Sequence, residues 1–129
     1  MTSLFQGHML ERYPGVRFGF FEAGGCGWVP YWTERLDEQI AARSKQDTPA
    51  SEYIRQGRLF FSCEPDEQGL GDVVAAVGDG SIMYASDYPH GESHFPDSVS
   101  LVLDWPMSTE RKRKLLWDNA VRFYARAPP

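Results

Sequence analysis

Three short apolar runs set the limits of this fold: residues 16–21 (Val-Arg-Phe-Gly-Phe-Phe), 58–62 (Arg-Leu-Phe-Phe-Ser) and 82–85 (Ile-Met-Tyr-Ala). Each has the length and the aromatic or β-branched content of a strand. The segments between them carry helical periodicity instead. Strands alternating with helices predict an α/β architecture with parallel strands. Each run is followed by an acidic residue, Glu22, Glu64 and Asp87. If the strands are parallel and adjacent, these three carboxylates meet at one edge of the sheet, where α/β proteins place their chemistry. Antiparallel pairing would separate them.

The rest of the chain fits around those strands. Residues 4–12 predict a short helix carrying Leu4, Phe5, Met9 and Leu10, stopped by Pro14 and Gly15. After the first strand come Gly24, Gly25 and Gly27, whose spacing is not that of a dinucleotide fingerprint. They permit a tight turn or a close backbone approach to a ligand. Pro30 suits the first turn of a helix running to about Ala42, with Trp32, Leu36 and Ile40 on one face. Residues 44–47 read as a polar loop. Thr48 and Pro49 then resemble an N-cap and a first helical position for a short helix around 52–56. Asp66 or a neighbour is expected to cap the helix at 70–77. Beyond the third strand, residues 99–105 predict a helix that Pro106 stops. Ser108 is the expected N-cap of the last helix, whose broad apolar stripe includes Leu115, Leu116, Ala120, Phe123 and Tyr124. Asn119 on that helix can cap, bond a neighbouring loop or face water.

Composition narrows the function classes. A chain of 129 residues is one domain, here 1–129, and 42% apolar residues can fill its core. A formal charge of −5 argues against a nucleic-acid partner. The one dense basic run, residues 111–114, reads as a solvated helix face. Cys26 and Cys63 lack metal-finger spacing and are too few for a disulfide scaffold, which points to a reduced compartment. Cys26 follows a strand but has no base placed by the sequence, so it reads as an inert thiol. No apolar run approaches the roughly 18 residues a membrane span needs, and the start lacks a secretory pattern. A cytoplasmic location is expected. Most of the four tryptophans, Trp28, Trp32, Trp105 and Trp117, are expected in core packing rather than in a substrate pocket.

The stretch 81–96 concentrates chemistry. Its strand delivers Asp87 into a loop holding His90, Glu92 and His94, broken by Pro89, Gly91 and Pro96. That set can serve a metal or proton-transfer site, or form a polar surface turn.

Residues 22–37 (Glu-Ala-Gly-Gly-Cys-Gly-Trp-Val-Pro-Tyr-Trp-Thr-Glu-Arg-Leu-Asp), 63–67 (Cys-Glu-Pro-Asp-Glu), 84–92 (Tyr-Ala-Ser-Asp-Tyr-Pro-His-Gly-Glu) and 116–124 (Leu-Trp-Asp-Asn-Ala-Val-Arg-Phe-Tyr) resemble the carboxy-terminal part of amidohydrolase-related proteins. These are metal-dependent (β/α)8-barrel hydrolases whose branch includes aminocarboxymuconate-semialdehyde decarboxylase and other non-oxidative decarboxylases. The resemblance implies a partial (β/α)8 TIM barrel, with the three strands matching the sixth, seventh and eighth. A full barrel needs about 250 residues, so the chain would supply its last third to half. Asp87 matches the eighth-strand aspartate that binds metal and accepts a proton from activated water. Glu22 stands where many members carry a histidine ligand. The family's first-strand His-x-His pair and fifth-strand histidine have no counterpart here.

The resemblance thus implies a divalent metal, Zn²⁺ or else Mn²⁺, held by Asp87 and Glu22, with Asp87 and His90 as the catalytic pair. His94 and Glu64 are secondary candidates; Glu64 can instead pair with Arg35 or Arg58. The implied activity is metal-dependent hydrolysis, with non-oxidative decarboxylation or a non-catalytic, oligomerising barrel fragment as alternatives. A three-stranded parallel sheet leaves two open edges. A second copy or a second chain completing the barrel is therefore expected, with a small-molecule substrate and neither nucleic acid nor membrane as partner.

Overall fold

The computed structural model describes residues 1–43, 47–91 and 93–125. Three parallel strands form one sheet in the order β1 (Phe18–Phe20), β2 (Leu59–Cys63), β3 (Ile82–Tyr84). Phe18 pairs with Leu59 and Phe20 with Phe61; Phe61 in turn pairs with Ile82 and Cys63 with Tyr84. This register sets the carboxyl ends of β2 and β3 level and ends β1 two residues earlier, so that Glu22 comes to the level of Cys63 and Tyr84. The α/β reading and the parallel pairing therefore both stand.

β2 is the centre of the sheet and all five of its residues are buried. Its side chains alternate between two faces, as strand geometry demands. Leu59, Phe61 and Cys63 enter the main core with Leu10, Val29, Leu36, Ile54 and Val73. Phe60 points the other way and meets Phe123, with ring centroids 5.2 Å apart. Gly19 of β1 lies beneath the same ring. A Cβ there would fall 2.8 Å from Phe123 Cζ and 2.5 Å from Phe21 Cε2, so only glycine admits this packing.

The helices follow the sequence with informative exceptions. The predicted helix at 4–12 is two helices, α1 (Thr2–Gln6) and α2 (Met9–Arg12), because His8 sits between them in the left-handed region at φ 50°. The helix α3 (Val29–Arg43) buries Val29, Thr33 and Leu36. Its inward stripe is rotated from the expected one, and Trp32 is 41% exposed. Pro49 is itself the N-cap of α4 (Ala50–Arg55), and the Thr48 side chain does not cap it. The Ser51 N–H instead donates to Asp37 Oδ1 of α3, 3.2 Å away, a cap supplied across the fold. Gly69, not Asp66, precedes α5 (Leu70–Val77). The predicted 44–47 loop falls largely on residues outside those described.

The carboxy-terminal part comprises α6 (Ser98–Asp104), α7 (Thr109–Arg113), a π-helical turn over Lys114–Asp118 and α8 (Asn119–Tyr124). Ser108 caps α7 as expected, its Oγ accepting from Arg111 N–H at 3.3 Å. Asn119 takes the second of its three options. Buried, it donates from Nδ2 to Asp79 O at 2.7 Å and Ile82 O at 2.8 Å, pinning the start of β3 to the last helix.

Other side chains stitch the amino ends of the strands in the same way. Arg58 donates to the carbonyls of Leu10, Tyr13 and Val16. Ser81 Oγ donates to Ile54 O, and Arg122 donates to Gln56 O and Gly80 O. Among the described residues, no helix is long and apolar enough to cross a membrane.

Candidate functional site

The carboxyl ends of the strands carry the titratable groups. Glu22 follows β1 by two residues, Glu64 follows β2 directly, and Asp87 lies three residues beyond β3. All three line one cleft of about 370 Å³, with Ser62, Tyr84, Tyr88 and Tyr124 also in its walls. Parallel pairing thus gathers the acids as the sequence predicts. Donor atoms of Glu22, Asp87 and His90 lie within 4.8 Å of one another, close enough to share one cation.

Local backbone explains how such short connections reach a common point. Glu22 has φ 56° and Asp87 has φ 58°, both in the left-handed region. Aspartate visits that region more readily than most residues, whereas glutamate is seldom found there. With both residues in that conformation, the Glu22 and Asp87 carboxylates line the same cleft and come within reach of one cation. Strain of this kind persists where surrounding structure enforces it, and it concentrates at functional sites.

The electrostatics separate the three acids. The Asp87 side chain is only 13% exposed, and its Oδ2 is 3.7 Å from His90 Nδ1. The His90 backbone N–H also donates to Asp87 O at 2.9 Å, closing the turn. Glu64 is pushed above the ordinary carboxylate range, first by burial and then by the charges of Asp87 and Asp66; a backbone hydrogen bond from Gly25 works against the shift. Neither expected arginine partner reaches Glu64. Arg58 is spent on backbone carbonyls, and Arg35 pairs with Glu34 and Glu38 on its own helix.

Other candidates fall elsewhere. His94 Nε2 lies 3.4 Å from Asp66 Oδ2, a tie between two loops rather than a member of the Glu22–Asp87–His90 group. Glu92 lies outside the described residues. Trp28 packs edge-on to Phe20 and Phe61 and donates from Nε1 to Gly25 O, and Trp105 also packs against the core, whereas Trp32 and Trp117 are exposed; the expected core role holds for two of the four. Sequence reasoning missed Ser62 and Tyr124 as cleft residues. The outward alternation of β2 carried a signal for Ser62; nothing local carried one for Tyr124.

A second group of donors lies behind the rim. Cys26 Sγ, Cys63 Sγ and a Glu67 carboxylate oxygen also lie within 4.8 Å of one another. Both thiols are buried and neither forms a disulfide. The hydrogen bond with Cys26, burial and the nearby acidic groups hold the Cys63 thiol well above its ordinary value, so it is no nucleophile at neutral pH.

With this geometry in place, comparison with known proteins gives a consistent answer. The amidohydrolase family model matches residues 1–126, and the chain belongs to that family. Among solved structures, it is similar to 5-carboxyvanillate decarboxylase LigW from Sphingomonas paucimobilis, at 20% identity and TM-score 0.74, over 94% of this chain and 37% of that one. It is also similar to the amidohydrolase map2389c from Mycobacterium avium subsp. paratuberculosis K-10, at 20% identity and TM-score 0.78, over 94% of this chain and 31% of the other. A third is 5-carboxyvanillate decarboxylase from Novosphingobium aromaticivorans, complexed with manganese and 4-hydroxy-3-methoxy-5-nitrobenzoic acid (23% identity, TM-score 0.73, 93% and 36% covered). A search of curated proteins finds no match. The chain spans about a third of the length of these structures. Its three strands and their helices are accordingly part of a TIM barrel.

Proposed function

We propose that the carboxylate rim is this chain's share of the site of a metal-dependent non-oxidative decarboxylase acting on a small carboxylic acid. The observation that carries the reading is the convergence of Glu22, Asp87 and His90 donors within 4.8 Å at the catalytic end of a barrel sheet. Two carboxylates and an imidazole suit a hard or borderline divalent cation, and Mn²⁺ fits this oxygen-rich set better than Zn²⁺. The manganese-bound decarboxylase among the similar structures supports the same choice. A cation held there supplies Lewis acidity toward substrate oxygens.

The chain's own residues divide the remaining work. Asp87, largely screened from solvent in the cleft wall, is the rim carboxylate best placed to hold the cation. Glu64, half-buried in the wall of the same cleft, is the third rim carboxylate and faces the space a substrate would fill. His90, half exposed beside Asp87, supplies the imidazole donor of the set. Hydrolysis on the same site is the second reading, favoured by the family as a whole and by the similarity to map2389c. The remaining strands of the barrel come from a second copy or a second chain in this proposal.

Manganese binding to the purified chain, followed by loss of the free-ion paramagnetic resonance signal, tests the site. About one equivalent is expected to bind, and Asp87→Asn should weaken binding by at least about tenfold. Undiminished binding by Asp87→Asn would end the proposal. Assays for carbon dioxide release and for ester or amide cleavage on the completed barrel then decide between the two reactions.

A further inference from the structure

We propose that Cys26, Cys63 and Glu67 form a second cation site, selective for a thiophilic divalent ion such as Zn²⁺ and separate from the carboxylate rim. Buried cysteines alone are ordinary, since a free thiol packs as a small apolar group. What is not ordinary is the carboxylate set against both of them. Glu67 reaches back from the loop after β2 and accepts from the Cys26 N–H at 2.9 Å. The glycine loop after β1 is shaped around it: a Cβ on Gly25 would fall 1.6 Å from Glu67 Oε2, and one on Gly27 3.2 Å from Oε1. Gly25 also has φ +74°, so two independent constraints exclude a side chain there.

The chemistry of the donors selects the ion. Two thiolates and one carboxylate match Zn²⁺, with Zn–S near 2.3 Å and Zn–O near 2.1 Å. Closing the three donors from their present span, within 4.8 Å, onto such a centre takes a shift of about 1 Å, within the reach of χ1 and χ2 adjustments. Binding displaces one proton from each Sγ to solvent, and the two thiolates then balance the dication. The Cys26 N–H keeps the Glu67 carboxylate oriented.

Access also exists. Glu67 is only half-buried and lines a groove of about 290 Å³ shared with Leu70, Trp105, Met107 and Arg111. The groove reaches the Glu67 carboxylate only; Cys26 and Cys63 are buried, so an ion that enters on the Glu67 side must displace the loop packing over the thiols. The hard-donor rim and the soft-donor pair would then take different metals from the same solution.

Cobalt(II) provides the probe, because thiolate coordination gives an intense near-ultraviolet charge-transfer band that carboxylate coordination does not. One equivalent added to the reduced chain should raise this band, and one equivalent of Zn²⁺ should remove it. The band should vanish in Cys26→Ala and Cys63→Ala, weaken at least about tenfold in affinity in Glu67→Gln, and survive in Asp87→Asn. Survival in Asp87→Asn separates this site from the rim. Should the cysteine variants not fold, proton release from the Asp87→Asn chain decides: Zn²⁺ should liberate about two protons per ion bound, one from each thiol. Absence of the band together with no proton release overturns the proposal, as does isolation of a Cys26–Cys63 disulfide that no added metal prevents.

Discussion

Glu64 shows how a single position at the rim can be costly alone and useful in company. Its carboxyl is raised by burial and by Asp87, so the folded state favours the protonated form. The sign follows directly. Below the ordinary glutamate value of about 4.3 the group is protonated folded or unfolded and costs nothing. As pH rises through the folded value, the fold must ionise a group it holds less comfortably than water does, and stability is lost. Glu64→Gln should therefore raise the melting temperature of the metal-free chain at pH 7. The gain should shrink toward zero as pH falls below about 4. A gain of equal size at both pH values would show that Glu64 is not the source. Added Mn²⁺ should narrow the difference at pH 7, because a nearby cation relieves the crowded carboxylates. The presence of Glu64, and of Glu22 and Asp87 beside it, was readable from one acid after each strand. The left-handed backbone at Glu22 and Asp87 was not, since that conformation belongs to the turn and not to the residue type.

At the scale of the element, the last helix is held by an amide as well as by the contact of Phe123 with Phe60. Asn119 occupies a position where the helical stripe calls for a hydrophobe, and its two bonds satisfy carbonyls at the entry to β3. Asn119→Ala should cost about 2–3 kcal/mol, read as a shift in the urea midpoint, because it leaves buried carbonyls unpaired. Asn119→Leu should not recover the loss, although it restores apolar volume. The sequence left this residue three options, and only the tertiary fold chose among them. The same limit explains α3. A four-residue spacing placed Trp32 with Leu36 and Ile40, yet Val29, Thr33 and Leu36 form the inward row. Two overlapping periodic sets were available on that helix, and contact with the sheet decided between them. His8 likewise broke a helix whose apolar spacing ran through it without interruption.

For the molecule as a whole, the sheet is an arc of a barrel with β1 and β3 at its two margins among the described strands. Parallel strands are otherwise covered on both sides, and unpaired edges invite pairing. Exposed rings accompany the β1 side: Phe21 at 44%, Trp32 at 41% in a cleft shared with Phe20, and Tyr124 at 72% in the cleft shared with Phe21. The chain should therefore run as an assembly or bind a complementary barrel portion. Native mass spectrometry at micromolar concentration checks this, and a purely monomeric spectrum, with no exposed-surface dye binding, would contradict it. Fold class was legible because strand and helix alternation is local. Closure was not, because it depends on chain beyond these three strands.

The stitching described at the amino ends of the strands has a consequence for how this protein can change. Arg58, Ser81, Asn119 and Arg122 all fasten backbone to backbone at one end, through side chains that take no part in the rim. Substitutions in the loops at the opposite end therefore leave this fastening of the strand starts in place. The lining of the cleft can change while that hem stays intact.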